Sequence, residues 1–160
     1  EALEEINLLQ AKLYAQSTYG LIIVLQAMDA AGKDGTIKHV FSHLDPNGVH
    51  VVSFKQPTSE EKDHDYMWRI NKALPERGNI GIFNRSQYED VIVTRIHDLI
   101  HQGQLPRNLI HKDIWEERYE QITNWEKYLA ANGFPMVKIT NAMASQPLSP
   151  NASFDHTPHA

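Results

Sequence analysis

The chain has 160 residues, of which 41% are hydrophobic and 22% charged, with a formal net charge of −5 and no cysteine. This length and composition predict a soluble protein with a single core, and the acidic balance argues against broad binding to nucleic acid. The lack of cysteine excludes disulfides and thiolate chemistry and fits a reducing, cytoplasmic compartment, and no apolar run approaches the ~20 residues of a membrane helix.

The first predicted elements are an amphipathic helix and a buried strand. Apolar side chains recur at helical spacing through residues 1–17, namely at Leu3, Ile6, Leu9, Leu13 and Tyr14. Residues 21–26 then form an apolar run without polar alternation. Such a run is typical of a strand covered on both faces, as in the parallel sheet of an α/β protein.

A turn of small residues follows this strand and leads into a helical pattern. Ala27, Gly32 and Lys33 have the spacing of a Walker A loop, whose backbone N–H groups and lysine bind phosphates. The helix beginning at Lys33 adds the positive end of its dipole. Ala27 stands where Gly is commoner, and Asp34 where Ser or Thr usually supplies a magnesium-binding hydroxyl. The predicted phosphate-binding residues here are Ala30, Ala31, Gly32, Lys33, Asp34, Gly35 and Thr36.

Helices and strands alternate through the rest of the pattern. We expect strands at residues 49–54 and 79–83, and a turn leading into a fourth strand over residues 133–139. Helices are expected at 33–44, 59–72, 86–102 and 107–131, with a turn at 45–48. This alternation predicts right-handed βαβ units and a doubly wound parallel sheet between two helical layers, an α/β/α fold.

Residues 141–160 differ in kind from the domain of residues 1–140. They are rich in Pro, Ser, Asn, Ala and His and show no periodicity, so we expect a disordered tail or one held only by a neighbour. The tetrapeptide starting at Asn141 resembles an expression-tag scar followed by a start methionine. A leader or tag origin is our expectation, and a natural flexible C-terminus is the alternative.

Candidate catalytic residues follow the third predicted strand. Ligands in parallel α/β sheets bind beyond the carboxyl ends of the strands, where Asn84 and Arg85 stand. Arg85 offers planar paired donors for a phosphate, and Glu89 and Asp90 add carboxylates suited to a divalent cation. A solvated helix face is the alternative for these two carboxylates.

Three more residues complete the predicted rim of the site. Lys55 follows the second strand and Arg95 can share a face with the cleft, so both are expected to bind phosphate. Asp29, inside the loop, is expected to bind metal, orient a nucleophile or act as a base. Its alternative role is a carboxylate at the helix N-terminus, satisfied by backbone donors.

Two further patterns are interpreted as structural. His97 and His101 have metal-ligand spacing but lack the glutamate of a zincin, so we expect a surface pair. Apolar and aromatic residues recur at helical spacing and predict the packing stripe of a helix: Trp115, Tyr119, Ile122 and Leu129. The pattern does not require a role in stacking against a nucleobase.

Three ordered motifs, at residues 26–37, 53–58 and 80–97, resemble the polyphosphate kinase 2 family. The resemblance covers residues 1–139. It implies a P-loop kinase fold like that of thymidylate kinase, phosphoryl transfer between inorganic polyphosphate and nucleotides, and Mg²⁺ or Mn²⁺ as cofactor. It also implies a homo-oligomer, in which the N-terminal helix either forms the contact or packs on its own core.

The resemblance assigns roles to individual residues. Lys33 and the neighbouring amides would hold phosphates, Asp29 would assist metal binding or nucleophile orientation, and Arg85 would bind polyphosphate. Many members have Asp at the position of Asn84, and the Phe-Asn-Arg-Ser form resembles the subgroup that phosphorylates nucleoside mono- and diphosphates. Metal binding then shifts to Glu89 or Asp90, and we hypothesise that Asp90 is the essential carboxylate.

Other functions remain open from the sequence. The family carries a lid helix rich in Arg and Lys and a final strand beyond the matching region, so we expect the chain to bind ligand yet turn over poorly. The alternatives are an ATP-dependent nucleoside or nucleotide kinase, and a phosphate-binding or assembly module without catalysis.

Overall fold

The computed structural model describes residues 1–26, 35 and 39–139. Most of the predicted phosphate loop, at residues 27–34, and the predicted tail at 141–160 lie outside the described residues. The predicted helix at 33–44 is described only at Gly35 and from His39, where His39 and Val40 are helical and Phe41–His43 form a 3-10 turn.

Four parallel strands form one sheet, which confirms the predicted α/β class. The strands are β1 (Leu21–Leu25), β2 (Val49–Ser53), β3 (Ile80–Asn84) and β4 (Met136–Ile139), in the order β2-β3-β1-β4. Asn84, the last residue of β3, pairs with Leu25 on one side and with Ser53 on the other. Leu25 pairs in turn with Ile139. The carboxyl ends of all four strands therefore meet at one edge.

The sheet is buried on both faces, because each central strand alternates its side chains between two cores. Ile22 and Val24 of β1 pack on one face with Phe83, Ile70 and Leu129. The opposite face is built from Leu25, Leu44, Ile80 and Ile82, with Ile6 and Leu13 packed against it. This arrangement gives the predicted helical layer on each side of the sheet.

Five α-helices accompany the strands in the described part of the chain. Their bounds are α1 (Ala2–Gln16), α2 (Ser59–Lys62), α3 (Trp68–Lys72), α4 (Val93–Ile96) and α5 (Ile114–Ala131). Among the described residues, no helix combines the length and apolarity needed to cross a bilayer.

Two predicted helices are interrupted in the structure, so their predicted continuity was wrong. The helix expected at 59–72 is divided into α2 and α3, with Asp65 accepting a hydrogen bond from the Met67 amide between them. The helix expected at 86–102 becomes 3-10 turns at Gln87–Asp90 and Ile100–Gln102 with only α4 between. Asp98 has a φ of 49°, a left-handed conformation that ends a right-handed helix.

The third long helix begins later than predicted. A 3-10 turn at Arg107–Leu109 precedes it, Ile110 is extended, and α5 starts at Ile114. The extended backbone of Ile110, with ψ of 107°, separates this turn from α5.

Candidate active site

Arg85 leaves the sheet at its carboxyl edge in a left-handed conformation. Its amide still donates to the Leu25 carbonyl at 2.9 Å, but its φ is 65° and its side chain is exposed. A residue other than glycine in this region costs about 1–3 kcal/mol, and such strain clusters at functional sites. The structure therefore places the predicted phosphate-binding arginine on a constrained turn beside the end of β1.

A chain of buried hydrogen bonds links this turn to the residue that precedes the predicted phosphate loop. The Ser86 hydroxyl donates to Gln26 Oε1 at 2.8 Å, and Gln26 Nε2 donates to Glu89 Oε1 at 2.7 Å. Ser86 and Gln26 are both buried. Glu89 is therefore half-buried and held toward the end of β1, not on a solvated helix face.

Asp90 is the most perturbed carboxyl group of the site. Burial raises its pKa to about 6, and the positive charges of Arg69 and Arg118 oppose that rise. Negative charges on Glu89 and Glu61 add to it. Its Oδ2 atom is buried and has no hydrogen-bond partner in the described part of the chain.

The orphaned oxygens fit a divalent cation. Asn84 Oδ1 is, like Asp90 Oδ2, a buried oxygen without a described donor, and such atoms are costly unless they gain a partner. Carboxylate and amide oxygens are the ligands that Mg²⁺ prefers. The described residues contain no group of three or more His, Asp or Glu that could complete a metal site by itself. The third predicted metal ligand, Asp29, lies outside them.

Arg69 joins the loop after β2 to the region of Asp90. Its guanidinium donates to the Lys55 carbonyl at 2.7 Å and to Glu61 Oε2 at 3.2 Å. It also stacks over Phe54, 5.4 Å from the ring centroid. Glu61 takes part in the capping box with Thr58 that begins α2. The Arg69 guanidinium, oriented by a partly buried ion pair with Glu61, thus holds the backbone of Lys55, while the Lys55 side chain is exposed.

A cavity of about 650 Å³ opens beside this loop at the carboxyl end of β2. Its lining combines the apolar rings of Phe54 and Trp68 with three cations and two carboxylates, namely Lys55, Arg69, Lys72, Glu60 and Glu61. Because Glu61 pairs with Arg69, the lysines are the lining groups that suit a phosphorylated ligand.

The remaining predicted site residues either make no described contact with Arg85, Glu89 or Asp90, or lie outside the described residues. Arg95 is exposed at the end of α4, and its guanidinium forms no hydrogen bond or ion pair with the described residues. Gly35 is exposed. His97 and His101 are exposed, and Asp98 ends their helical register, which agrees with a surface pair. Outside the described residues lie Asp29, Ala30, Ala31, Gly32, Lys33, Asp34 and Thr36.

Sequence reasoning missed Gln26, Arg69 and Arg118 as site residues. The predicted packing stripe holds at Ile122 and Leu129, but Tyr119 is exposed and Arg118 is buried instead. A signal for Arg118 was available, because it lies four residues after Ile114 and four before Ile122. A lone arginine in an apolar stripe indicates a buried charge with a specific partner.

Comparisons with known proteins relate the whole described region to one family. The sequence model of the family described as Polyphosphate kinase 2 matches residues 1–146. The ADP-polyphosphate phosphotransferase of Rhodopseudomonas palustris is 46% identical over 138 residues, which cover 85% of this chain and 48% of that protein. The AMP/ADP-polyphosphate phosphotransferase of Meiothermus ruber is 44% identical over 131 residues, which cover 82% and 45%.

A solved structure shows the same fold. The crystal structure of polyphosphate kinase 2 from Arthrobacter aurescens TC1 superposes with a TM-score of 0.76 at 39% identity, over 86% of this chain and 47% of that one. The chain thus spans about half the length of the relatives it matches.

Proposed function

Because the chain belongs to the polyphosphate kinase 2 family, we propose that it transfers phosphoryl groups between inorganic polyphosphate and nucleoside mono- or diphosphates. The observation that carries the proposal is the convergence of Arg85, the Gln26–Ser86–Glu89 hydrogen bonds and Asp90 at the edge of the sheet where the predicted phosphate loop follows β1. The names of the two relatives support the substrate classes.

Phosphoryl transfer needs little covalent work from the protein. A phosphate oxygen of the nucleotide attacks the terminal phosphorus of polyphosphate, the bond to the next bridging oxygen breaks, and the polymer leaves one unit shorter. Positioning and charge stabilisation supply most of the catalysis. In this chain Arg85 would bind the transferring phosphate, Lys33 would neutralise charge on the polymer, and Asp29 would orient the attacking group.

The metal proposal rests on the orphaned oxygens. Asp90, Glu89 and Asp29 would hold Mg²⁺ or Mn²⁺, which would neutralise negative charge on the phosphates. Asn84, where many members have Asp, supports the subgroup that accepts both mono- and diphosphates. We further propose a homo-oligomer, since Leu8 and Leu9 on α1 are exposed apolar side chains.

The test is formation of ATP from ADP and polyphosphate, measured with a luminescent or coupled assay. AMP serves as a second acceptor, and ATP without polyphosphate as an alternative donor. We expect activity with polyphosphate and a loss of at least ~100-fold in Lys33→Ala, because the cation at the phosphates is removed. Lys12→Ala, at an exposed position on α1, is the matched control and should keep full activity.

The other outcomes discriminate between the alternatives. Transfer from ATP with no response to polyphosphate would indicate an ATP-dependent nucleotide kinase. Binding of polyphosphate without turnover under any donor would indicate a phosphate-binding module. Equal rates in Lys33→Ala and the unaltered protein would contradict the proposed site.

A further inference from the structure

Arg118 is a buried cation that forms no ion pair with the described residues. It is 8% exposed, in the middle of α5. Among the described residues its guanidinium donates one hydrogen bond, to the main-chain oxygen of Asp90 at 2.8 Å. Burying a guanidinium without a direct ion pair is costly, so the few polar contacts that it does make are important for its position.

Two aromatic rings lie close to the Arg118 guanidinium. Its central carbon lies 4.5 Å from the centroid of Tyr66 and 5.9 Å from that of Trp115. The Tyr66 hydroxyl donates to Gln121 Oε1 at 2.8 Å, which ties the ring to α5 itself. A guanidinium this close to the face of an aromatic ring is attracted by the ring, which helps to hold the arginine in place.

The single hydrogen bond reaches the carbonyl of Asp90 and not its carboxylate. The main chain of Asp90 is therefore anchored to α5, while its side-chain Oδ2 keeps no described donor. A direct guanidinium–carboxylate pair would have occupied that oxygen. Arg118 thus holds the backbone of Asp90 in place without contacting its Oδ2 atom, so the Asp90 carboxylate stays available for another ligand.

We propose that Arg118 is a positioning residue, which holds the main chain of Asp90 so that the Asp90 carboxylate can bind the divalent cation. The inference rests on the proposed function in taking Asp90 as a metal ligand. Partners behind metal ligands commonly govern affinity or activity by about 10–100-fold.

Arg77 provides a matched control, because its guanidinium also contacts an aromatic ring and backbone carbonyls, at another place in the fold. Its guanidinium stacks over Phe134 at 4.8 Å and donates to the Thr18 and Asn132 carbonyls at 2.8 and 2.9 Å. These contacts lie at the amino ends of β1 and β4, opposite to the candidate site. Loss of Arg77 should therefore cost stability without touching metal binding.

The experiment measures Mn²⁺ binding directly, by electron paramagnetic resonance of free Mn²⁺ at about pH 8, where Asp90 is ionised. The proteins are the unaltered chain, Arg118→Met, Arg118→Lys and Arg77→Met, each with a thermal unfolding curve. We expect Arg118→Met to weaken Mn²⁺ binding about 10-fold or more, and Arg118→Lys to recover part of that loss. Arg77→Met should bind Mn²⁺ within about 2-fold of the unaltered protein while its Tm falls.

Three results would overturn the inference. Equal Mn²⁺ affinity in folded Arg118→Met would show that Arg118 only packs α5. Tighter binding would show that its charge repels the cation more than its hydrogen bond helps. No Mn²⁺ binding by the unaltered protein would remove the metal role on which the inference rests. Failure of polyphosphate-dependent transfer with normal Mn²⁺ binding would instead count against the proposed function alone.

Discussion

Arg85 and Asp90, two of the proposed site residues, are both in unfavourable arrangements. Arg85 adopts a φ of 65° that glycine would accept without cost, and Asp90 keeps a buried carboxylate oxygen without a partner among the described residues. Each lowers the stability of the fold, and each places a charged group at the carboxyl edge of the sheet. Residues that break local rules in this way are typical of functional sites.

For Arg85 the strain can be separated from the charge by comparing Arg85→Gly with Arg85→Ala. Both should lose activity by at least ~100-fold, since both remove the phosphate-binding guanidinium. Arg85→Gly should be more stable than Arg85→Ala by about 1 kcal/mol, because glycine adopts positive φ freely. Urea unfolding measures the difference, and equal stabilities would show that the turn is not strained.

For Asp90 the prediction concerns pH in metal-free protein. Its pKa is raised from 3.8 to about 6, so the folded state retains a proton that the unfolded chain loses, and stability falls as pH rises between those values. The penalty amounts to about 3 kcal/mol above the folded pKa. Asp90→Asn should therefore be more stable than the unaltered protein at about pH 8, by about 1–3 kcal/mol, yet inactive.

Urea unfolding with a chelator at about pH 4 and pH 8 checks this result. The two proteins should nearly converge at the lower pH, because Asp90 is protonated in the folded state there and only about half ionised in the unfolded chain, so little of the penalty remains. Glu60→Gln, at an exposed carboxylate, should show no such pH-dependent gain. Full activity in Asp90→Asn would remove this carboxylate from the mechanism.

At the scale of elements, glutamine side chains connect strands and turns at both ends of the sheet. Gln26 bridges Ser86 and Glu89 at the carboxyl edge. Gln10 of α1 accepts from the Asp45 amide and donates to its carbonyl, both at 2.9 Å, at the amino edge. Both glutamines are buried, so their substitution leaves polar partners unsatisfied in the same way.

The pair Gln26→Leu and Gln10→Leu therefore distinguishes a functional link from a structural one. Each should lower the free energy of unfolding by about 1–3 kcal/mol, because buried polar groups lose their partners. Only Gln26→Leu should also lower kcat, by about 10-fold or more, since Glu89 is no longer held near the end of β1. Steady-state kinetics beside urea unfolding measures both effects. A similar fall of kcat in Gln10→Leu would show that general loosening explains it.

For the whole molecule, the central strands hold the two cores together. Ile82 of β3 is fully buried between neighbouring strands, whereas Val51 of the edge strand β2 is 49% exposed. Burial on both faces ties the central strands to both cores. The candidate site lies at the carboxyl ends of those same strands.

Ile82→Ala should lower the free energy of unfolding by about 2–5 kcal/mol, since it leaves a cavity that the two neighbouring strands cannot fill. Val51→Ala, at the exposed edge, should cost less than about 1 kcal/mol. Urea unfolding of both variants is the measurement. Equal losses would show that β2 is as buried in the protein as β3.

Sequence patterns alone determined the fold class, the four strands and the candidate residues after β3. Apolar runs and turn residues are local signals, and parallel strands bring their carboxyl ends together whatever the exact register. The breaks in the helices at 59–72 and 86–102 were not foreseen, because they depend on side chains such as Asp65 and on the positive φ of Asp98. Local helical periodicity carries no information on those competing contacts.

Tertiary structure alone decided which distant groups the arginines contact. The helix α5 brings Arg118 to the backbone of Asp90 across 28 positions of sequence, and Arg69 reaches Lys55 across 14. No spacing rule connects such residues, since their proximity follows from how helices pack on the sheet. The sequence therefore indicated candidate groups for binding phosphate and metal, and packing determined which of the described candidates are held in place, buried or exposed.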